Sequence, residues 1–257
     1  MAIVIDGKMI ANKIINYLKN QPTPNKSLIV EMMGHNPAAH SFLEQKKRVA
    51  EKLRIPIILY LHNYNIGNYW LWREINEFSQ RPDIGGITIS LPLPLEYNQE
   101  LILNSISPLK DVDCLNEATA GIESPTVGAV KKICESLQFN VADKKIAVVG
   151  KGFLVGQPII RWLSGQVQKL FVLDSKSDLS ILKEADLVIT GVGKQGLIKP
   201  EMLKSGAGVI DFGYGGDMQT TSCSLDHLNF YTPAFGGVGP ILVACLFENF
   251  YKLTSLH

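Results

Sequence analysis

The stretch with the clearest chemical potential runs from Lys144 to Pro158, KKIAVVGKGFLVGQP. Gly150, Lys151 and Gly152 follow an apolar, β-branched run, and Val155 and Gly156 lead into an amphipathic segment ending at Leu163. Strand, glycine turn and helix make a phosphate-binding corner: backbone N–H groups approach a pyrophosphate and the helix N-terminus adds partial positive charge. The spacing, G-x-G-x-x-x-G, is one residue longer than the usual dinucleotide fingerprint, and such a turn also occurs without a ligand. A second apolar run, Leu170 to Leu173, ends in Asp174, with Ser175 and Lys176 behind it. An acid there accepts hydrogen bonds from a ribose diol, or else caps a turn. Two more strand-like runs end in glycines: Leu187 to Thr190 at Gly191 and Gly193, and Gly208 to Asp211 at Gly213.

These groups need a scaffold. Strands alternating with helical stretches of about ten residues argue a parallel, right-handed, doubly wound sheet of the Rossmann type. Before it, the chain reads as a βαβαβα unit of its own, with strands at Ile3 to Ile5, Ser27 to Met33, Ile55 to Leu61 and Gly86 to Leu91. A helix is expected from Ala38 to Leu53, with Phe42, Val49 and Leu53 as its apolar face and Lys46 near the same side. In the cluster Lys46-Lys47-Arg48, a solvated helix lysine is the plain alternative to a functional one. Leu91-Pro92-Leu93-Pro94 is expected to be stiff and extended, and Lys110 to Cys114, which includes Asp113, is a polar turn. Thr232 to Pro240, containing Gly236, Gly237, Gly239 and Pro240, is expected to be a rigid loop ahead of an apolar helix from Ile241 to Leu253. That helix has no strand left to serve and is expected to return to the first lobe, closing a cleft for ligands. The fold class is therefore two-lobed α/β. Residues 1–120, completed by 240–257, form the first lobe, and 121–239 the nucleotide lobe.

Composition narrows the function. Of 257 residues, 46% are hydrophobic and 19% charged, which suits a packed core and excludes disorder. With 25 basic and 24 acidic residues, the net charge of +1 gives no footing for nucleic acid or a membrane surface. Cys114, Cys134, Cys223 and Cys245 form no C-x-x-C pair and the five histidines are scattered, so no metal site is expected. Isolated cysteines, no evident signal peptide and no apolar run near the roughly 18 residues of a membrane span lead to the expectation of a cytoplasmic protein.

The ordered set of blocks resembles the bifunctional methylenetetrahydrofolate dehydrogenase/methenyltetrahydrofolate cyclohydrolase family. It comprises I-D-G-K near the start, G-H-N-P-A-A before the helix bearing Lys46, and L-P-L-P at Leu91 to Pro94. P-L-K-D-V-D at Pro108 to Asp113, V-V-G-K-G-F-L-V-G-Q-P at Val148 to Pro158 and A-D-L-V-I-T-G-V-G-K at Ala185 to Lys194 follow. V-I-D-F-G at Val209 to Gly213 and P-A-F-G-G-V-G-P at Pro233 to Pro240 complete it.

The resemblance implies a homodimer of two-lobed subunits, with folate in the cleft and NADP or NAD on the second lobe. It implies Lys46 as the proton-transfer group, Asp113 on the pterin edge, and Leu91, Pro92 and the Gly236–Pro240 loop as folate wall. Thr126 is implied at the cofactor, within S-P-T-V where the family has P-C-T-P. Other positions depart from the pattern. Phe42 stands where the family has tyrosine, Ser90 where it has glutamine, Gly150-Lys151-Gly152 in place of G-R-S, and Leu242 where it has threonine. Asp174-Ser175-Lys176-Ser177 replaces H-S-R/K-T; Asp174 favours NAD, whereas Lys151 and Lys176 favour a 2′-phosphate. Three functions are compatible with this: a bifunctional enzyme, a dehydrogenase that has lost ring opening, and an inactive folate- or nucleotide-binding paralogue.

Overall fold

The computed structural model describes all residues except 35, 63–64, 221–223 and 256–257. His35 of the G-H-N-P-A-A block and Cys223 lie outside the described residues. The chain divides into two compact units, Met1–Ala11 with Thr126–Leu242, and Asn12–Pro125 with Val243–His257.

The second of these units is built on three parallel strands in the order β3-β2-β4: β2 is Ser27–Met33, β3 Ile57–His62 and β4 Ile84–Ile89. The central strand reads SLIVEMM because both of its faces are covered; Leu28, Ile29, Val30 and Met32 are fully buried. Helix α2, Pro37–Leu53, starts where the Asn36 carboxamide accepts from the backbone N–H groups of Ala38 (2.9 Å) and Ala39 (3.3 Å), with proline in the first turn. It ends at Arg54, in the left-handed conformation (φ 58°). Its buried face is Leu43, Lys46, Val49, Ala50 and Leu53; Phe42, expected on that face, is half-buried, one position off the stripe. Helix α3, Asn68–Gln80, follows β3, and the short α4, Gln99–Leu103, follows β4.

The other unit carries a six-stranded, wholly parallel sheet in the order β1-β9-β8-β7-β5-β6. Its strands are β1 (Ile3–Val4), β5 (Lys145–Val149), β6 (Lys169–Leu173), β7 (Leu187–Thr190), β8 (Gly208–Asp211) and β9 (Phe230–Tyr231). Helix α5, Pro125–Ser136, precedes β5, and α6, Gly156–Leu163, connects β5 to β6. The later crossovers are shorter than the ten-residue helices expected: 3-10 turns at Leu179–Glu184 and Pro200–Met202. Ala147, Val149, Val188 and Val209 pack with Leu182 and Ile198 in one core beneath these strands.

Two features correct the sequence reading. The N-terminal strand belongs to the six-stranded sheet, because β1 pairs in parallel with β9 (Ile3 with Phe230, Val4 with Tyr231). The Leu91–Pro92 peptide is cis and the chain bends there instead of running extended, an isomer that the tertiary amide before proline makes accessible.

Helix α1, Gly7–Lys19, begins where Asp6 Oδ1 accepts from Met9 N at 3.0 Å. Gly7 N donates to Gly236 O at 2.9 Å, and a Cβ on Gly7 would overlap the Gly237 carbonyl oxygen. The I-D-G and F-G-G blocks, some 230 residues apart in sequence, are thus two sides of one backbone contact. Gly7→Ala should therefore cost about 3 kcal/mol of folding stability, as overpacking against backbone does. Urea unfolding would measure it, and a midpoint equal to the parent's would show that the loop yields freely.

Helix α7, Val238–Ser255, starts three residues earlier than expected, so Gly239 and Pro240 lie in its first turn, where a missing N–H leaves no bond unmade. Its C-terminal part returns to the three-stranded sheet as expected. Phe250 fills the space beside Gly85 and Gly86, and Asn249 Nδ2 donates to the carbonyls of Val112 (2.9 Å) and Glu123 (2.8 Å). No helix among the described residues is long and apolar enough to cross a membrane.

Candidate functional site

Lys46 is 9% exposed on the inner face of α2, with Nζ 3.1 Å from Thr88 Oγ1 and 3.9 Å from Asp113 Oδ2. Burial pulls its pKa below the ordinary 10.5, opposed by the nearby Asp113 charge. Thr88, on β4, has a single hydroxyl proton, which it donates to Asp113 Oδ2; its lone pair then accepts from Lys46. Lys46, Thr88 and Asp113 thus form a chain in which Nζ can donate inward and keep its lone pair for a proton from elsewhere.

The K-D-V-D turn separates its two acids by role. Asp111 is fully buried and holds the turn, accepting from Asn116 N (2.7 Å) and Thr119 Oγ1 (2.6 Å). Asp113 is left to face Lys46, against the turn-capping alternative. Phe42 is half-buried one turn ahead of Lys46 on α2. Ser90 and Leu91 are half-buried and Pro92 is exposed; Ser90 N continues the sheet by donating to Glu31 O at 2.8 Å.

Thr88 was not picked out from the sequence. The signal was available, since counting back two from Ser90 along a strand puts Thr88 on the same side. Thr88→Val keeps the shape and deletes the hydroxyl, leaving Lys46 without its donor-accepting partner. Proton transfer through Lys46 should slow by roughly 10- to 100-fold, since losing a hydrogen bond to a charged group costs about 1.5–3 kcal/mol. Steady-state rates would show this; rates within a factor of two of the parent's would remove Thr88 from the machinery.

In the other unit, β5 lies between β6 and β7, so the chain reverses direction across the sheet there, and ligands lie outside the C-terminal strand ends at such a point. Gly150 ends β5 at φ 96°, which disfavours any side chain. A Cβ on Gly156 would overlap the Gly150 carbonyl, and one on Gly191 would lie 2.5 Å from Val155, so these glycines let the turn, α6 and β7 close together. Gly152 and Gly193 border open space. The α6 N-terminus, at Val155, has no side-chain cap.

Asp174, at the end of β6, pairs with Lys151 at 2.8 Å, and its other oxygen accepts from Lys176 N and Ser177 Oγ, both at 3.0 Å. The hydrogen bond from Lys151, with those from Lys176 N and Ser177, pulls its pKa down to about 2. Ser175 and Lys176 are exposed.

Other expected residues serve the loops themselves. Thr126 is buried and its hydroxyl donates to Leu154 O at 2.7 Å, bracing the glycine turn. Gly213 N donates to Asp211 Oδ1 at 2.8 Å, and the Asp217 carboxylate sits where its Cβ would be. Asp217, missed in the sequence, accepts from Thr190 Oγ1, Val192 N and Lys194 N, each at 2.7 Å, and so fixes the Gly191-Val192-Gly193 loop. Gly236 takes φ 77°, and with Gly237 it packs on Gly7.

A positive-φ turn, an uncapped helix N-terminus, open space at Gly152 and an exposed ionised acid after the second strand suit a nicotinamide dinucleotide. Comparison with known proteins agrees. Residues 124–257 match the tetrahydrofolate dehydrogenase/cyclohydrolase NAD(P)-binding domain, and residues 5–113 match the catalytic domain of the same group. The chain belongs to the tetrahydrofolate dehydrogenase/cyclohydrolase family. The bifunctional protein FolD of Mycoplasma mycoides is 31% identical, with 99% of this chain and 97% of the relative covered. That of Lactobacillus delbrueckii is 28% identical over 99% and 98%. The crystal structure of the bifunctional FolD methylenetetrahydrofolate dehydrogenase/cyclohydrolase from Campylobacter jejuni superposes with a TM-score of 0.92 at 28% identity, covering 100% of this chain and 99% of that one. As a member of this family, the chain has a nicotinamide cofactor domain, and its buried lysine sits in the matched catalytic domain.

Proposed function

We propose that this chain oxidises 5,10-methylenetetrahydrofolate to the 5,10-methenyl form with NAD and then hydrolyses that product to 10-formyltetrahydrofolate. The observation that carries the reading is the buried Lys46, its pKa lowered, in contact with Thr88 and 3.9 Å from Asp113.

Hydride leaves the one-carbon bridge for the nicotinamide ring, which is the chemistry the cofactor supplies when bound. For that step the chain mainly binds and orients. Gly150, Gly152 and the N-terminus at Gly156 would receive the pyrophosphate, Asp174 the ribose, and Asp113 the two-donor edge of the pterin. Ring opening makes a further demand. Water adds to the methenyl carbon and gives one proton to neutral Lys46 Nζ; the protonated lysine returns it to the nitrogen leaving that carbon, and the remaining hydroxyl proton is released to solvent as the formyl C=O forms. The Thr88 hydroxyl keeps Nζ aimed during the exchange, supplying the contact that Ser90 is too short to make. That contact favours a bifunctional enzyme over a dehydrogenase without ring opening or an inactive binder.

A two-channel assay tests this: reduced cofactor formed from methylenetetrahydrofolate with NAD or NADP, and separately the decay of added methenyltetrahydrofolate. Both signals should exceed the uncatalysed background; hydride transfer alone would retire the role given to Lys46. In the same assay, Phe42→Tyr with Ser90→Gln should raise ring opening about 5-fold, the worth of one added hydrogen bond, and leave hydride transfer nearly unchanged. No change in either rate would mean that Thr88 already does all that those two residues could.

A further inference from the structure

We propose that Glu31, His62 and Glu74 bind a first-row divalent metal ion, on the face of the three-stranded sheet opposite Lys46. The faces follow from the register. Val30 pairs with Thr88, the partner of Lys46, whereas Glu31 pairs with Tyr60 and Ile89 and so points the other way. That face is covered by α3, whose Phe78 contacts Tyr60 (ring centroids 4.6 Å apart) and which carries Glu74.

A glutamate in the middle of a central strand otherwise made of Leu, Ile, Val and Met needs a reason. Glu31 is fully buried, and its Oε1 has no hydrogen-bond partner among the described residues. Its Oε2 lies 3.0 Å from His62 Nε2, and Glu74 Oε2 lies 3.1 Å from the same nitrogen. Nε2 carries at most one proton, so it can donate to only one of them; Glu74 Oε2, also buried, is left without a hydrogen bond. Two carboxylates therefore converge on one nitrogen with too few protons to satisfy them.

A cation resolves this. The three ligand atoms lie within 4.8 Å of one another. Metal–ligand bonds of about 2.1 Å put neighbouring ligand atoms roughly 3.0 Å apart at octahedral and 3.4 Å at tetrahedral angles, close to the 3.0 and 3.1 Å separations of the two carboxylates from His62 Nε2. One imidazole with two carboxylates suits Zn²⁺, Mn²⁺ or Fe²⁺. On binding, the ion takes the place of the proton on Nε2, leaving the ring's remaining proton on Nδ1. The His62 and Glu74 side chains are 14% and 25% exposed, which gives the ion an entry path and room for water ligands. Sequence spacing concealed the group, since its members come from β2, β3 and α3.

The test uses the full chain stripped with chelator and titrated with Zn²⁺ by calorimetry and with Co²⁺ by visible absorption. One saturable equivalent is expected, and Zn²⁺ at about 100 times Kd should raise the thermal midpoint by about 5 °C. Glu31→Gln should weaken binding at least 100-fold. Because Glu31 is in the core, Glu74→Gln at the rim serves as the second variant and should weaken it at least 10-fold while folding normally. Absence of saturable binding overturns the proposal, leaving a proton-sharing cluster. So does binding that Glu74→Gln leaves unchanged, which would place the ion elsewhere.

Discussion

Replacing Lys46 by methionine should lower ring opening of methenyltetrahydrofolate by about 10³-fold and hydride transfer by less than 10-fold, since a positioned proton-transfer group is worth roughly 10²–10⁴. Methionine keeps most of the apolar stem of lysine, so the packing of α2 against Thr88 survives and Thr88 can still donate to Asp113. The pH dependence carries the assignment further. In the proposed mechanism the base is the neutral amine, so ring opening in the parent should rise with pH and level off at a value below the ordinary 10.5, and that limb should vanish in Lys46→Met. Stability gives an independent check. The folded-state pKa is depressed, so between it and 10.5 the unfolded chain binds the extra proton and stability rises with pH. Below that window parent Lys46 bears a buried charge, and within it the folded chain gives up a proton to avoid one. The methionine variant escapes both and should be at least as stable at neutral pH. A variant that is fully folded and still opens the ring within 3-fold of the parent's rate would remove Lys46 from the mechanism.

How far the sequence could reveal this site depended on how local the determinants were. β2, β7 and β8 fall where their β-branched runs placed them, and α2 ends at Leu53 as its stripe required, because one residue run contains the whole signal. Helix α5 shows no clear signal in the sequence. Gly128 and β-branched Val127 and Val130 weaken its intrinsic propensity, and what holds it is the burial of Val127, Ala129, Val130 and Ile133, which only the folded chain supplies. β9 is two residues long, and β1 could not be assigned to the six-stranded sheet without it. In the site, the glycine turns were legible by type and spacing, and the candidate base through the family resemblance. The residues that aim them were not. Thr88 reads as an ordinary strand residue until α2 is laid across it, and Asp217 reads as a loop acid until three donors from the β7 end converge on it.

The proposed use of NAD rests on a similar nonlocal contact. Lys151 and Lys176 looked from the sequence like phosphate ligands opposed by Asp174, but the fold gives Lys151 to Asp174 at 2.8 Å and uses the backbone N–H of Lys176 to orient that carboxylate. The pair presents an ionised, positioned acceptor for a ribose diol and leaves Lys151 little free charge for a phosphate. Asp174→Ser should therefore raise the NADP-to-NAD ratio of kcat/KM by about 10²-fold. The change removes a repulsion from a doubly charged phosphate and releases Lys151 to attract it, both across a few ångströms of solvent-exposed space. Because the interaction is exposed, the shift should shrink as ionic strength rises from 0.01 M toward 1 M, where the screening length falls from about 30 to 3 Å. Measuring both cofactors at several salt concentrations separates the two contributions. A ratio that does not move would mean that the 2′ position lies away from Asp174. One that rises without salt dependence would point to fit, with charge playing no part.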